Sequence, residues 1–193
     1  MAANAEPKIC PFTILVDTAE TQPFTFQGLR ADSDKANRPL YVKCRYSCLG
    51  RFPHSLGDYT IEGLGNQLAI ERKSMEDAQS TVLGWESKQQ RDKDLPGRRE
   101  RFKKELQNLS RLNAAMVVVE ATFGDCLRLM PEWGKKPAEH NRKIFFRSVL
   151  AWQQDYKVPW LFCDGRRLAE IAAFRFLQRF WDKQFGKKSE REK

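Results

Sequence analysis

Polar and apolar residues alternate over residues 58–61 and again over residues 68–73, which is the period-two pattern of β-strands. Between them, residues 63–66 read Gly-Leu-Gly-Asn, and both glycine and asparagine tolerate the positive φ angles of tight turns. We therefore predict a β-hairpin in which Tyr59 pairs with Ile70. One face of this hairpin is apolar and is expected to lie in the core: Tyr59, Ile61, Leu68 and Ile70.

The rest of the chain alternates between apolar runs and amphipathic helical stripes, and this order predicts an α/β fold. Further strands are predicted at residues 12–17, 40–48, 115–120 and 159–163. Helices are predicted directly after Ser74 and at residues 98–112, 139–155 and 166–184. Polar or Gly/Pro-rich connections are expected at residues 84–97 and 121–137. Helices separate the later strands and predict parallel pairing there, whereas the earlier strands are expected to be antiparallel.

The predicted hairpin brings two carboxylates together, because Asp58 falls opposite Glu71. Opposed residues on antiparallel strands have Cβ atoms about 4.5–5.5 Å apart, and like charges at that distance destabilise a sheet. A hard divalent cation would offset this repulsion, so the pair indicates a metal site suited to phosphodiester cleavage. Lys73 follows on the same face, about 6–7 Å beyond Glu71, where its ammonium would orient a water or stabilise phosphate charge. Arg72 points to the other face, toward a phosphate or a neighbouring strand.

Each of these residues also has a structural explanation without catalysis. An acidic residue on a strand is most often only solvated, and the sequence Glu-x-Lys is common. Ser74 and Asp77 nearly match a helix capping box, so Asp77 serves either the site or the start of the next helix. Asp17 ends an apolar strand, which is where α/β sheets place ligands, but a turn residue would occupy the same position.

The same residues resemble a known motif. Gly57-Asp58-Tyr59 followed by Glu71-Arg72-Lys73 and Asp77 is similar to the signature of the XPF-type nuclease domain, a branch of the restriction-endonuclease-like PD-(D/E)XK superfamily. Three further segments are similar to the family's first strand, next helix and following strand: residues 14–20, 101–106 and 116–120. The resemblance covers residues 12–180, with one departure, since Ala19 stands where the family has arginine.

This resemblance implies a restriction-endonuclease-like mixed sheet flanked by helices, and the activity of a metal-dependent DNA endonuclease on branched or flapped DNA. It implies that Mg²⁺ or Mn²⁺ is bound by Asp58, Glu71 and the backbone carbonyl of Arg72. The implied catalytic residues are Asp58, Glu71 and Lys73, with Asp17, Glu20 and Asp77 as supporting acids. The family often pairs through its nuclease domains, which implies a homodimer or heterodimer. Ala19 motivates the alternative of a catalytically silent module for DNA binding or partner recruitment.

Composition bounds the domain organisation. The chain has 193 residues, 41% of them hydrophobic, which suffices for one domain with its own core. We expect a nuclease domain at 12–182, an N-terminal extension at 1–11 and a basic tail at 183–193, without the helix-hairpin-helix domain that commonly follows in the family. Five scattered cysteines and two histidines argue against a zinc site. No apolar run approaches the ~20 residues of a membrane span, so an intracellular protein of cellular or viral origin is expected.

The net charge of +9 favours a polyanionic partner such as DNA. In the predicted helix at 98–112, cations surround an apolar stripe of Phe102, Leu106 and Leu109. Five cations are therefore candidate DNA-binding residues: Arg72, Arg98, Arg99, Lys103 and Lys104. Charged helix surfaces are also commonly only solvated. The aromatic stripe of the last predicted helix is interpreted as core or a dimer surface: Phe174, Phe176, Phe180 and Trp181.

Overall fold

The computed structural model describes residues 6–31, 37–86, 94–132 and 136–186, and these form a six-stranded sheet flanked by helices. Its strands are β1 (Lys8–Asp17), β2 (Leu40–Ser47), β3 (Tyr59–Ile61), β4 (Leu68–Lys73), β5 (Ala114–Val119) and β6 (Trp160–Phe162). Its helices are α1 (Met75–Leu83), α2 (Arg98–Leu109), α3 (Phe123–Arg128), α4 (Ala138–Tyr156) and α5 (Arg166–Phe185). The predicted α/β class is confirmed.

The sheet is mixed and has the strand order β2-β1-β3-β4-β5-β6. β3 pairs antiparallel with β1 and β4, whereas β1/β2, β4/β5 and β5/β6 are parallel pairs. The parallel pairing of the later strands is confirmed, but the antiparallel expectation is wrong for β1 and β2. Parallel neighbours need a crossover connection. The segment between β1 and β2 supplies it and buries Phe24, Phe26 and Leu29 in the core.

The core has two layers, one on each face of the sheet. Phe174 and Leu177 of α5 share one buried cluster with the predicted core face of the hairpin, whose side chains are fully buried: Tyr59, Ile61, Leu68 and Ile70. Residues of α1, α2 and α4 form the other cluster with β5. The opposite face of β4 is buried as well, since Ala69, Glu71 and Lys73 are each less than a tenth exposed. The alternating pattern of β4 is typical of a half-exposed strand, but its polar residues Glu71 and Lys73 lie inside the protein.

α3 lies within residues 121–137, where the sequence predicts a Gly/Pro-rich loop. Thr122 caps this helix, because its Oγ1 accepts a hydrogen bond of 3.0 Å from the Asp125 N–H. Cys126 then anchors the helix in the core with no exposed surface. Phe123 also packs against the rings of Phe145 and Phe162, so a local cap and core contacts together order these six residues.

The other predicted elements are present, with boundaries that shift by a few residues. β1 begins at Lys8, within the predicted extension at 1–11, and α2 ends at Leu109. Parts of the expected polar connection (87–93) and of the basic tail (187–193) lie outside the described residues. In the last helix, Phe174 is buried in the core. Three other aromatic residues of this helix are partly buried and pack against that core: Phe176, Phe180 and Trp181. In the described part of the chain, no helix combines the length and the apolar character needed to cross a bilayer.

Candidate active site

The hairpin of β3 and β4 places Asp58 beside the backbone of β4. Tyr59 pairs with Ile70, as predicted, and the Asp58 N–H donates to the Ile70 carbonyl at 2.8 Å. Gly57 permits this approach, because its φ is +83° and a Cβ there would lie 2.8 Å from the Ile70 carbonyl oxygen. The Asp58 carboxylate then accepts a hydrogen bond of 2.7 Å from the Arg72 N–H, which holds it against β4.

Glu71 and Lys73 lie on the same face of β4, as predicted, and form a buried ion pair. Lys73 Nζ lies 2.9 Å from Glu71 Oε1 and 3.1 Å from Asp77 Oδ2. It also lies 4.4 Å from the centroid of the Phe102 ring. Both Glu71 and Lys73 are only 6% exposed, so the ammonium is fixed beside the carboxylate rather than free in solvent.

Asp77 has both of the roles that its sequence context leaves open, one at the start of α1 and one beside Lys73. Its N–H donates to Ser74 Oγ at 3.1 Å, so Ser74 caps α1 as the capping-box pattern predicts. Its carboxylate forms ion pairs with Lys73 and Arg98. The cap fixes the first turn of α1, and that turn presents the carboxylate to the ammonium of Lys73.

Three carboxyl groups crowd together at this position: those of Asp58, Glu71 and Glu105 on α2. Burial raises the pKa of Asp58 well above its ordinary value, and the charge of Glu71 raises it further. Burial and the charge of Glu71 also raise the pKa of Glu105, which hydrogen-bonds with the Glu71 carboxyl and accepts the Gly57 N–H. Ionisation of all three carboxyl groups together is therefore unfavourable, and a bound cation would favour it.

Glu105 is not among the predicted site residues. It lies three residues after Phe102 and four before Leu109, and residues at those spacings share a face of a helix. A carboxylate next to the buried stripe of an amphipathic helix is the signal that identifies it, because that stripe faces the sheet.

An open cleft of about 370 Å³ lies between the segment that follows β1 and the end of β4. Its wall is formed by Ala19, Glu20, Thr21, Gln22, Asp58, Glu71, Arg72, Ser74 and Asp77. The cleft thus brings together most of the predicted acidic residues: Glu20, Asp58, Glu71 and Asp77. Lys73 is not part of the wall and reaches it through Glu71 and Asp77.

Asp17 lies at the end of β1, two residues before Ala19 of the cleft wall. Its N–H donates to the Asp58 carbonyl at 2.8 Å, and its carboxylate accepts the Ala19 N–H at 3.2 Å. The Arg51 guanidinium lies 3.4 Å from the same carboxylate. Asp17 therefore acts as a turn residue that also supports Asp58, and its part in catalysis stays a prediction.

Arg72 contacts a neighbouring strand, which is one of its two predicted partners. Its guanidinium donates hydrogen bonds of 2.8 and 2.9 Å to Glu120, directly after β5, and lies 3.3 Å from Glu20. Burial opposes the charged form, but the hydrogen bonds and charge of Glu120 outweigh it and raise the pKa of Arg72. Arg166 of α5 shares Glu120 at 2.7 Å. This side chain thus ties the cleft to β5 and α5, and its contact with DNA stays a prediction.

The candidate DNA-binding cations of α2 differ in their surroundings. Arg98 contacts α1 through a hydrogen bond and an ion pair. Arg99 donates to Ser148 on α4 at 2.9 Å, and burial lowers the pKa of both arginines. Lys103 pairs with a glutamate on its own helix at 3.0 Å, and Lys104 is half-buried. The two arginines therefore hold α2 in place, and DNA binding by all four stays a prediction.

The structure places two of the three predicted metal ligands close together, the carboxyl groups of Asp58 and Glu71, and metal binding by them and by the Arg72 carbonyl stays a prediction. Among the described residues, no group of three or more His, Cys, Asp or Glu side chains is arranged to hold a metal ion. Mg²⁺ retains several waters and is usually held by one or two carboxylates together with substrate phosphates. Two neighbouring carboxyl groups, whose joint ionisation a cation would favour, fit that mode of binding.

No protein-family model matches the sequence, and no curated protein matches it significantly. The fold is similar to that of XPF from Aeropyrum pernix, with a TM-score of 0.53 and 14% identity over 87% of this chain and 64% of that chain. A structure of XPF from Aeropyrum pernix in complex with DNA gives a TM-score of 0.54 and 13% identity, over 93% of this chain and 70% of that chain. The restriction-endonuclease-like fold implied by the sequence motif is thereby confirmed.

Proposed function

We propose that this protein is a metal-dependent DNA endonuclease that hydrolyses phosphodiester bonds, with branched or flapped DNA as its substrate. The observation that carries the proposal is the crowding of Asp58 and Glu71 at an open cleft, with the Lys73 ammonium fixed 2.9 Å from Glu71. The fold shared with XPF, one structure of which is a complex with DNA, supports the choice of DNA.

In this proposal, Asp58, Glu71 and the Arg72 carbonyl hold Mg²⁺ or Mn²⁺. Such an ion, when bound, lowers the pKa of a coordinated water and polarises a phosphoryl oxygen. Lys73, fixed between Glu71 and Asp77, stabilises negative charge that develops on the phosphate. Asp17 supports the Asp58 backbone.

Around this centre, Glu20 and Glu120 fix the Arg72 side chain, and the Arg72 N–H holds the Asp58 carboxylate. Ala19 forms part of the cleft wall and offers a substrate phosphate no charge. This position is the reason to retain a second candidate function, a silent module that binds DNA or recruits a partner. In that case the same cleft binds without cutting. The expected dimer stays a prediction under both functions.

The test is a cleavage assay on flap, fork and linear duplex DNA with Mg²⁺ or Mn²⁺. Asp58→Asn and Lys73→Ala are each expected to slow cleavage by about 100-fold or more, the usual effect of removing one charge-stabilising group. Asp155→Asn, on the exposed surface of α4, serves as the matched control and should cut as the unaltered protein does.

Calorimetry with Mn²⁺ gives an independent measurement, in which Glu71→Ala should lose binding. The silent-module function is indicated if no substrate is cut although DNA is bound. Equal cutting by the Asp58 and Lys73 variants and the unaltered protein would show that the site lies elsewhere.

A further inference from the structure

In the part of the chain that the structure describes, no helix packs on one side of the sheet at β1 and β2. Parallel strands are normally buried on both faces, and α1, α2 and α4 cover this side of the sheet at β4 and β5. On this side of β2, in contrast, Tyr41, Lys43 and Arg45 are exposed, and on β1 exposure falls from Ile9 to the half-buried Leu15. Ile9 of β1 is 74% exposed and Tyr41 of β2 is 61% exposed. Two large side chains with apolar surface are thus exposed at a place where none of the described helices packs.

The exposed side of β2 presents a ring and two cations in a row, Tyr41, Lys43 and Arg45, which we call the β2 face. The strand register places each of them beside an uncharged residue of β1: Ile9 with Tyr41, Thr13 with Lys43 and Leu15 with Arg45. From Tyr41 to Arg45 the row extends about 13 Å. Asp17 is the one acidic residue in the sequences of these two strands, and it stands at the very end of β1.

The row of cations continues toward the cleft. Arg51 follows β2 and reaches Asp17 and Thr18 over 3.4 and 3.2 Å, with its side chain 60% exposed. Arg45 has a carboxylate partner, Glu62, at 2.7 Å, but these side chains are 58% and 42% exposed. Exposed ion pairs of this kind are weak, so a phosphate can take the place of the Glu62 carboxylate.

We propose that the β2 face binds a single strand of nucleic acid and leads it to the cleft. Tyr41 stacks on a base, while Lys43, Arg45 and Arg51 contact successive phosphates. Exposed rings on a sheet surface are suited to stacking with unpaired bases, and cations beside them follow the backbone. A second copy paired at the edge of β2 would bring the cations of two β2 faces close together, and like charges there are destabilising. Charge therefore favours nucleic acid as the partner. The choice of nucleic acid as the ligand rests on the proposed function. The stacking and phosphate contacts themselves do not require that the cleft cuts DNA.

The test is fluorescence anisotropy of a labelled oligothymidylate of about 12 nucleotides, with EDTA present so that no metal-dependent step contributes. Tyr41→Ala should weaken binding by about fivefold or more, the loss of one stacked base. Tyr46→Ala is the matched control, because Tyr46 lies on the opposite face of the same strand and is 60% exposed. Lys43→Gln and Arg45→Gln should each lower the slope of log K against log[salt] by about 0.7, the value for one phosphate contact on a single strand.

Photo-crosslinking with 4-thiothymidine, followed by peptide mapping, should place the strand at residues 41–45. Equal affinities of the Tyr41→Ala and Tyr46→Ala variants would overturn the proposal, even for a protein that cuts DNA. A change in sedimentation on Tyr41→Ala with unchanged DNA affinity would also overturn it, in favour of a second copy at this face. Binding at the β2 face without cleavage on any substrate would uphold this proposal and count against the proposed endonuclease alone.

Discussion

At the candidate active site, several buried or half-buried carboxyl groups surround one ammonium, that of Lys73. Lys73 contacts Glu71 and Asp77, so its charge is already shared before Asp58 and Glu105 are considered. Burial and the charge of Glu71 raise the pKa of Asp58 and of Glu105 in the folded protein. The folded protein therefore holds these protons more tightly than the unfolded chain does. Above the unfolded pKa values, near pH 4, ionisation favours the unfolded chain, and the free energy of unfolding falls until the raised folded values are passed.

Glu105→Gln is expected to stabilise the metal-free protein at neutral pH. The amide keeps a donor for Glu71 and an acceptor for the Gly57 N–H, but it removes the cost of ionising a buried acid. Each unit by which folding raises the pKa corresponds to about 1.4 kcal/mol at a pH above both values. Urea unfolding with EDTA should show a gain at pH 7.5 that vanishes below pH 4, where the carboxyl group is protonated in both states.

Glu139→Gln is the control for Glu105→Gln, since the Glu139 side chain is 63% exposed and its ion pairs are at the surface. A loss of stability at neutral pH on Glu105→Gln would mean that Glu105 is ionised in the folded protein.

Among the structural elements, the β3–β4 hairpin determines where the carboxylates lie. The residues that create it are local: alternation in β4, glycines in the turn and Gly57 before Asp58. Gly57 and Gly63 both have φ of +83°, but their surroundings differ. A Cβ on Gly57 would meet the Ile70 carbonyl oxygen at 2.8 Å, whereas one on Gly63 would have no neighbour within 4 Å. A comparison of alanine at the two positions therefore separates the cost of a positive φ from the cost of a close contact.

Gly57→Ala should be more destabilising than Gly63→Ala. Both variants carry the strain of a left-handed residue, about 1–2 kcal/mol. Only Gly57→Ala adds a clash with fixed backbone, for which about 1–3 kcal/mol is typical. Urea unfolding measures the difference, and Mn²⁺ calorimetry should show weaker binding for Gly57→Ala alone, because Asp58 must move. Similar losses in both variants would show that the strand absorbs the added methyl group without moving.

The same hairpin explains which elements could be predicted from sequence. The pairing of Tyr59 with Ile70 follows from alternation and turn residues within a dozen positions, and the capping of α1 follows from Ser74 and Asp77 alone. The parallel pairing of β1 with β2 does not, because it depends on how a long connection packs in the core. The place of Glu105 in the site likewise could not be predicted, since only the docking of α2 on the sheet brings it to Glu71.

For the molecule as a whole, Glu120 joins parts of the chain that are distant in sequence. It follows β5, accepts two hydrogen bonds from Arg72 of β4 and one from Arg166 of α5. Arg166 in turn donates to the carbonyls of Gln22 and Pro23, both at 2.8 Å, in the segment that carries the cleft wall. No local pattern identifies such a partner for Arg72, because the pair is 48 residues apart and forms only when the sheet is complete.

Glu120→Ala should therefore destabilise the fold and loosen the cleft together. The side chains of Arg72 and Glu120 are 9% and 10% exposed, and removal of one partner from a buried pair typically costs about 3–5 kcal/mol. Glu139→Ala removes ion pairs at the surface of α4 instead and should cost no more than about 1 kcal/mol.

Urea unfolding at neutral pH compares the two variants. Limited proteolysis should cut residues 18–26 faster only in Glu120→Ala, because Arg166 then loses the carboxylate that orients it. If both variants unfold at the same urea concentration, Arg72 has found sufficient compensation in Glu20, and Glu120 is not the residue that joins the cleft to the sheet.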